Sequence, residues 1–179
     1  MNWKVLSSKH ILSKPWMTVR QDEVQLPNGH VIPEYFVFEY PEWVNAIAIT
    51  NDGKFVLVKQ YRHGVGRVCW EIPAGVVEKT DDDALAGAKR ELLEETGYGN
   101  GEWSELMQIS GNAASCNNIT HCYLAKNVRK VGGQNLDDGE DLVYELKDEA
   151  EVLAMLERGE FVQSLMAAPL WKYFSTKTV

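Results

Sequence analysis

The stretch Ala84–Thr96, ALAGAKRELLEET, is the strongest constraint on how this chain can fold. Its residues are good helix formers apart from Gly87. The acidic run Asp81-Asp82-Asp83 ahead of it offers a helix N-cap, where a carboxylate meets free N–H groups and the positive end of the dipole. Gly97 behind it suits a left-handed stop. At about 100° per residue, Glu91, Glu94 and Glu95 share one face, while Leu85 and Leu92 fall on a neighbouring face suited to a sheet. Three carboxylates side by side repel by roughly a few tenths of a kcal/mol per exposed pair, and by more where water is partly excluded. Either the face stays in water, with Lys89 and Arg90 as surface partners, or hard divalent cations sit among the oxygens. Helix spacing alone does not choose.

The rest of the chain supplies strands for this helix to cover. Thr18–Leu26 alternates before Pro27-Asn28-Gly29, and His30–Tyr40 is rich in β-branched and aromatic residues, which predicts a hairpin. Asn45–Thr50 and Lys54–Lys59, joined by Asn51-Asp52-Gly53, predict a second. Further strands are expected at Trp103–Ser110, Thr120–Ala125 and Leu142–Leu146. Helices are expected at Asp148–Arg158, stopping at Gly159, and at Gln163–Phe174, where Pro169 is an obstacle. Gly132–Asp141, with three glycines and four acids, reads as a mobile loop. Many strands and few helices predict an α/β (α+β) sandwich of a mixed sheet with flanking helices.

The formal charge of −8, from 26 acidic and 18 basic side chains, argues against a general nucleic-acid binder, which needs a basic face. It does not argue against a phosphorylated ligand, because a carboxylate cluster can recruit the divalent ion that phosphate requires. Cys69, Cys116 and Cys122 show neither a C-x-x-C pair nor a zinc-like spacing, and read as reduced, buried thiols. Met1–Lys14 lacks a signal-peptide apolar block, and no apolar run nears the roughly 20 residues that cross a bilayer. The expected location is cytoplasmic, with no membrane and no stable nucleic-acid partner.

Upstream of the acidic helix, Glu71-Ile72-Pro73-Ala74-Gly75 forms an extended segment that Pro73 stiffens and in which Gly75 permits a bend. A backbone carbonyl there, that of Ala74, is a candidate extra oxygen ligand. The run Gly75–Tyr98, GVVEKTDDDALAGAKRELLEETGY, resembles the Nudix box, G-x5-E-x7-R-E-U-x-E-E-x-G-U with U bulky and apolar. Arg90, Glu91, Leu92, Glu94, Glu95, Gly97 and Tyr98 match in place. Upstream, one residue is added before Arg90, and the box's first glutamate becomes Asp82 or Asp81, depending on where the addition falls.

The resemblance implies a Nudix-type α/β/α sandwich and hydrolysis of a pyrophosphate linkage with Mg²⁺, for which Mn²⁺ can substitute. It implies that Glu91 and Glu95 ligate the metal, that Glu94 assists directly or through water, and that Arg90 orients the carboxylates. The general base is left open among Glu94, Glu95 and Glu140, the last from the acidic loop. Lys59-Gln60-Tyr61-Arg62, the EIPAG segment and the N-terminal arm together resemble the ADP-ribose and nucleoside diphosphate sugar pyrophosphatases. By that resemblance residues 1–42 form a β arm that joins a homodimer, and residues 43–179 form the hydrolase domain.

Arg62, Glu71, Trp43 and Tyr35 are the expected substrate-binding residues. Arg62 offers a planar fork for phosphate, and Trp43 and Tyr35, with Phe36 and Trp16, offer rings for a base. Where ADP-ribose enzymes carry a segment with proline, glycine and acids, this chain has Asn112–Asn118, NAASCNN. A neutral, flexible loop there is expected to meet a different terminal group, such as a hexose. The expected substrates are therefore nucleoside diphosphate sugars broadly, ADP-ribose and GDP-mannose among them. The alternatives are an RNA 5′-end or dinucleoside polyphosphate pyrophosphohydrolase, a catalytically silent nucleotide-sugar sensor, and an isoprenoid diphosphate isomerase on the same fold.

Overall fold

The computed structural model describes residues 1–177, which divide into two compact units. The first holds Met1–Pro41 and Ser110–Ile119; the second holds Glu42–Ile109 and the chain from Thr120 onward.

In the first unit β1 (Lys4–Lys14), β2 (Met17–Gln25) and β3 (Val31–Glu39) form an antiparallel sheet in that order. The β2–β3 turn follows from its residues. Gly29 takes φ 86°, and Asn28 Oδ1 accepts the His30 amide at 3.0 Å. β1 is a strand that the sequence pattern did not reveal, since nearly all of it is exposed and its apolar residues do not alternate onto a buried face. It is held by cross-strand polar contacts: Ser8 Oγ donates to buried Asp22 at 2.6 Å, and Arg20, two residues from Asp22 on β2, steadies that carboxylate at 3.0 Å.

The asparagine loop of this unit is tethered, which corrects the expectation of a flexible one. Its backbone pairs with Phe38, through Phe38 N to Ser115 O at 2.7 Å and Asn117 N to Phe38 O at 3.2 Å. Asn117 Oδ1 accepts the Tyr40 amide, and Asn118 Nδ2 donates to Pro41 O, both at 3.0 Å. The asparagines are engaged with main chain, and these bonds fix the loop.

The second unit is a three-layer sandwich. Its mixed sheet runs β11 (Leu142–Lys147), β5 (Phe55–Arg62), β4 (Trp43–Thr50), β10 (Thr120–Lys130), β8 (Tyr98–Gly99). Three more strands attach: β6 (Arg67–Glu71) to β5, β7 (Ala74–Val76) to β4, and β9 (Glu102–Ile109) to β10. Only the β4–β10 pair is parallel among the described strands. Strand alternation splits β4 and β5 between two cores. Ile47, Ile49, Phe55 and Leu57 pack under α2 (Glu149–Glu157) and α3 (Ser164–Lys177). Val44, Ala46, Ala48 and Val56 meet Ala88 and Leu92 of α1 (Ala84–Thr96) on the opposite face.

Pro169 lies inside α3, where its ring removes the N–H that Leu165 O would otherwise receive. Asn45 Nδ2 of β4 donates to that carbonyl instead, at 2.8 Å in the core. The helix tolerates its proline because a strand side chain satisfies the orphan acceptor. Among the described residues no helix is long and apolar enough to cross a membrane. The three cysteines are free; Cys69 and Cys122 are buried as expected, while Cys116 is only half-buried.

Candidate functional site

Helix α1 is capped at both ends. Asp83 Oδ1 accepts the Ala86 amide at 2.8 Å, and Gly97, at φ 68°, donates its N–H to Leu93 O at 2.7 Å. The three remaining carbonyls of the last turn are also taken. Asn135 N reaches Glu94 O (2.9 Å), Gln134 Nε2 reaches Glu95 O (2.7 Å), and Lys130 Nζ reaches Thr96 O (2.6 Å). The segment Gly132–Asp141, expected to be mobile, is thus fastened through its first half to the end of α1.

The helix turns Glu91 and Glu95 inward against β7. Glu95 is 2% exposed and Glu91 8% exposed, so the solvated-face reading of these two carboxylates is excluded. Ala74 N donates to Glu95 Oε2 at 3.1 Å, and Val76 N donates to Glu91 Oε1 at 3.2 Å. Between them, a Cβ built on Gly75 would stand 2.1 Å from the Glu91 carboxyl carbon, and Gly75 has no left-handed φ. The glycine is therefore there for close approach, not for the bend expected from the sequence.

Arg90 gathers the acids. Its Nη1 donates to Glu91 Oε1 (3.0 Å) and Glu94 Oε2 (2.9 Å), its Nη2 to Val76 O (2.8 Å), and its Nε and Nη2 to the two oxygens of Asp81 (3.1 and 3.0 Å). Asp81, not Asp82, thus takes the place of the box's first glutamate. Asp82 is exposed, so the added residue lies between Asp81 and Arg90. The bonded pair shifts in opposite directions, with Arg90 raised chiefly by the Asp81 hydrogen bond and Asp81 lowered chiefly by Arg90. Gly87 leaves room for this contact, since a Cβ there would lie 3.0 Å from Asp81 Oδ2.

Burial pushes the Glu95 carboxyl well above its ordinary value, and the charges of Glu91 and Glu140 add to the push. Burial likewise raises Glu91; Arg90 opposes the rise, and Glu94 and Glu140 reinforce it. Glu140 is exposed on its loop, yet its charge is felt by both helix carboxylates. Arg62 faces α1 from β5, with its Nε donating to Glu71 Oε1 at 2.8 Å and its Nη2 to Glu71 Oε2. That hydrogen bond, chiefly, raises the guanidinium's pKa, and the nearby charge of Glu95 contributes.

Two of the expected substrate-binding residues lie apart from the carboxylate face. Glu71 is fully buried and holds Arg62. Trp43 alternates with Val44 and so shares a face with Asn45 and Ile47, opposite the acidic helix. Tyr35 belongs to the first unit, where its hydroxyl donates to Ala114 O and its ring meets Trp3 edge-on at 5.7 Å. Phe36 and Trp16 of the same unit are exposed.

The family model of the NUDIX domain matches residues 40–165, most of the chain and all of this site. The chain belongs to the Nudix hydrolase family. A second family model, the nucleoside diphosphate sugar hydrolase N-terminal domain, matches residues 3–38. Among known proteins, the methanol dehydrogenase activator of Bacillus methanolicus is 37% identical, across 82% of this chain and 80% of that protein. The ADP-ribose pyrophosphatase of Mycobacterium tuberculosis is 29% identical, across 93% and 81%. A crystal structure of an ADP compounds hydrolase superposes with a TM-score of 0.86 at 19% identity, covering 99% of this chain and 95% of that one, which shows the shared fold.

Nudix hydrolases generally use a divalent metal, and this Nudix site fits one in donor chemistry. Glu91 and Glu95 are hard oxygen donors, buried with more negative charge than Arg90 balances, and Gly75 leaves the Glu91 carboxylate a space that any side chain would fill. As the side chains stand, no three acids among the described residues converge on one point. Arg90 and the two β7 amides hold them instead.

Sequence reasoning missed Gln134, Lys130 and Asn135. Their partners are main-chain carbonyls, which leave no mark in a side-chain pattern. Spacing from Gly75 was the signal available for choosing Asp81.

Proposed function

We propose that this Nudix hydrolase cleaves the pyrophosphate linkage of nucleoside diphosphate sugars, ADP-ribose among them, to a nucleoside monophosphate and a sugar phosphate, with Mg²⁺ as cofactor. The observation that carries the reading is the buried pair Glu91 and Glu95, held against Gly75 with Arg62 facing the same helix. The match to a nucleoside diphosphate sugar hydrolase N-terminal domain and the ADP-ribose pyrophosphatase relative support the substrate class.

Glu91, Glu95 and the Ala74 carbonyl would hold the ion, with Glu94 assisting. The chemistry supplied there is positive charge for the diphosphate oxygens and acidification of water. Arg90 keeps Glu91 and Glu94 in place. Arg62 offers Nη1, the nitrogen Glu71 does not occupy, to a phosphate oxygen, while Glu71 fixes the direction of the fork. Glu140 is the carboxylate we assign to take the proton of the attacking water, a role worth on the order of 10²- to 10⁴-fold.

The decisive experiment is phosphate release, with added phosphatase, from ADP-ribose, GDP-mannose, UDP-glucose, dinucleotides and capped RNA, with and without Mg²⁺. Nucleotide sugars should lead and chelation should abolish release. Silence on every compound would support a sensor, and a lead for capped RNA or dinucleotides would overturn the substrate class. Glu140→Gln should lower turnover far more than Mg²⁺ affinity, measured by calorimetry; equal losses would remove its role as base. The activator relative favours a second reading, that the chain raises the activity of a dehydrogenase. Stimulation of a methanol dehydrogenase that survives Glu95→Gln would separate this from hydrolysis.

A further inference from the structure

We propose that Gln134 is a positioning residue that ties the Glu140 loop to the end of the carboxylate helix, and that catalysis depends on this tie. The inference rests on the role assigned to Glu140 above.

A side-chain amide nitrogen carries two hydrogens. Gln134 Nε2 directs them to carbonyls in two different elements, Glu95 O at the end of α1 (2.7 Å) and Leu142 O at the start of β11 (3.4 Å). Leu142 follows Glu140 by two residues, so Gln134 joins the exit of the loop to the very residue whose carboxylate lies against β7. The entry is pinned nearby, by Asn135 N on Glu94 O at 2.9 Å. Between these ties the loop closes on itself, with Glu140 N donating to Asp137 O at 2.9 Å and Asp137 N to Glu140 Oε2 at 3.2 Å. Residues 136–141 are therefore a short span fixed at both ends to the last turn of α1. An exposed acidic loop without such ties samples many conformations, few of which keep the Glu140 charge within reach of Glu91 and Glu95.

The helix does not depend on Gln134 alone. Gly97, Lys130 and Asn135 take the other three carbonyls of its last turn, so loss of the glutamine leaves the cap largely intact. The loop exit keeps the pairing of Leu142 with Gln60 of β5, but that pairing ties it to the sheet and not to α1. The consequence of cutting the tie falls on where Glu140 is held.

The test uses Gln134→Met, which keeps reach and loses the donor, with Gln134→Glu as a second variant read in the same way. In protein without added ion, amide exchange of residues 136–141 should rise about five- to tenfold while that of α1 stays unchanged. With ADP-ribose and Mg²⁺, kcat should fall about tenfold with KM within about twofold. In a Glu140→Gln background the same substitution should cost nothing further, because it acts through a group already removed. Unchanged loop exchange, or an equal kcat loss in both backgrounds, overturns the inference and leaves the role of Glu140 standing. A Glu140→Gln enzyme with full kcat overturns that role and the inference with it.

Discussion

At the scale of single residues the site is defined by how little room separates the Glu91 carboxylate from the chain at Gly75. An alanine there must displace something, because its Cβ would meet the carboxyl group at 2.1 Å. The displaced atoms are the end of a side chain, not backbone, so the fold can absorb the change while the donor geometry cannot. Gly75→Ala should keep thermal stability within about 1 kcal/mol of the parent yet lower turnover and Mg²⁺ affinity at least tenfold; a normal turnover would show that Glu91 need not lie where it does. Glu95 yields a second prediction. Its folded pKa is raised above the ordinary 4.5, so the folded state holds its proton more tightly than the unfolded state does. The stability linked to that proton is fully present below 4.5 and is lost as pH rises through the raised folded value. In chelator, wild-type stability should therefore drop across this window relative to Glu95→Gln, and added Mg²⁺ should remove the difference. Parallel melting curves for the two proteins at every pH would contradict the burial of this charge.

At the scale of elements, α1 is placed by Arg90, whose contacts reach both the helix acids and the loop before them. Two neighbouring aspartates therefore have different expected effects. Asp81→Asn should lower the melting temperature by several degrees and reduce turnover, because it strips Arg90 of its bidentate partner. Asp82→Asn should be silent in both measurements. The reverse ranking would place the added residue on the other side of Asp81. This pair also shows what the sequence left undecided. Helical spacing placed three glutamates on one face because an α-helix repeats at a fixed angle, but a loop with one added residue has no such period. Strands β2 to β5 and β9 to β11 and all three helices were legible for the same reason, as alternation and capping residues repeat or punctuate. The elements that escaped, β1, β6, β7 and β8, are either exposed along nearly their whole length or too short to carry a pattern. The burial of Glu71 against Arg62 and the face that Trp43 takes were not legible, because residue type announces aromaticity or charge but not the face of the sheet.

At the scale of the whole molecule, the N-terminal strand poses a problem that one chain does not solve. β1 ends its sheet, so one row of its N–H and C=O groups faces outward along an eleven-residue strand. Val5, Leu6 and Ile11 are exposed on it, and Trp3 before it and Trp16 beyond it are exposed as well. Natural proteins cover or charge such an edge, and lysines at positions 4, 9 and 14 are spaced too widely to guard every apolar residue. We propose a second copy as the cover, because a self-complementary two-fold interface is the commonest closed solution for a patch of this kind. Light scattering should give twice the 20.2 kDa chain mass at micromolar concentration. Val5→Glu combined with Ile11→Glu should give a monomer whose hydrolase unit still melts cooperatively, since neither side chain contributes to its core. If the arm also lends rings such as Tyr35 to nucleoside binding, the monomer should show a raised KM with a smaller change in kcat. An unchanged KM would leave the arm with assembly alone, whereas a wild-type protein that stays monomeric at every concentration would require another explanation for the exposed apolar strand.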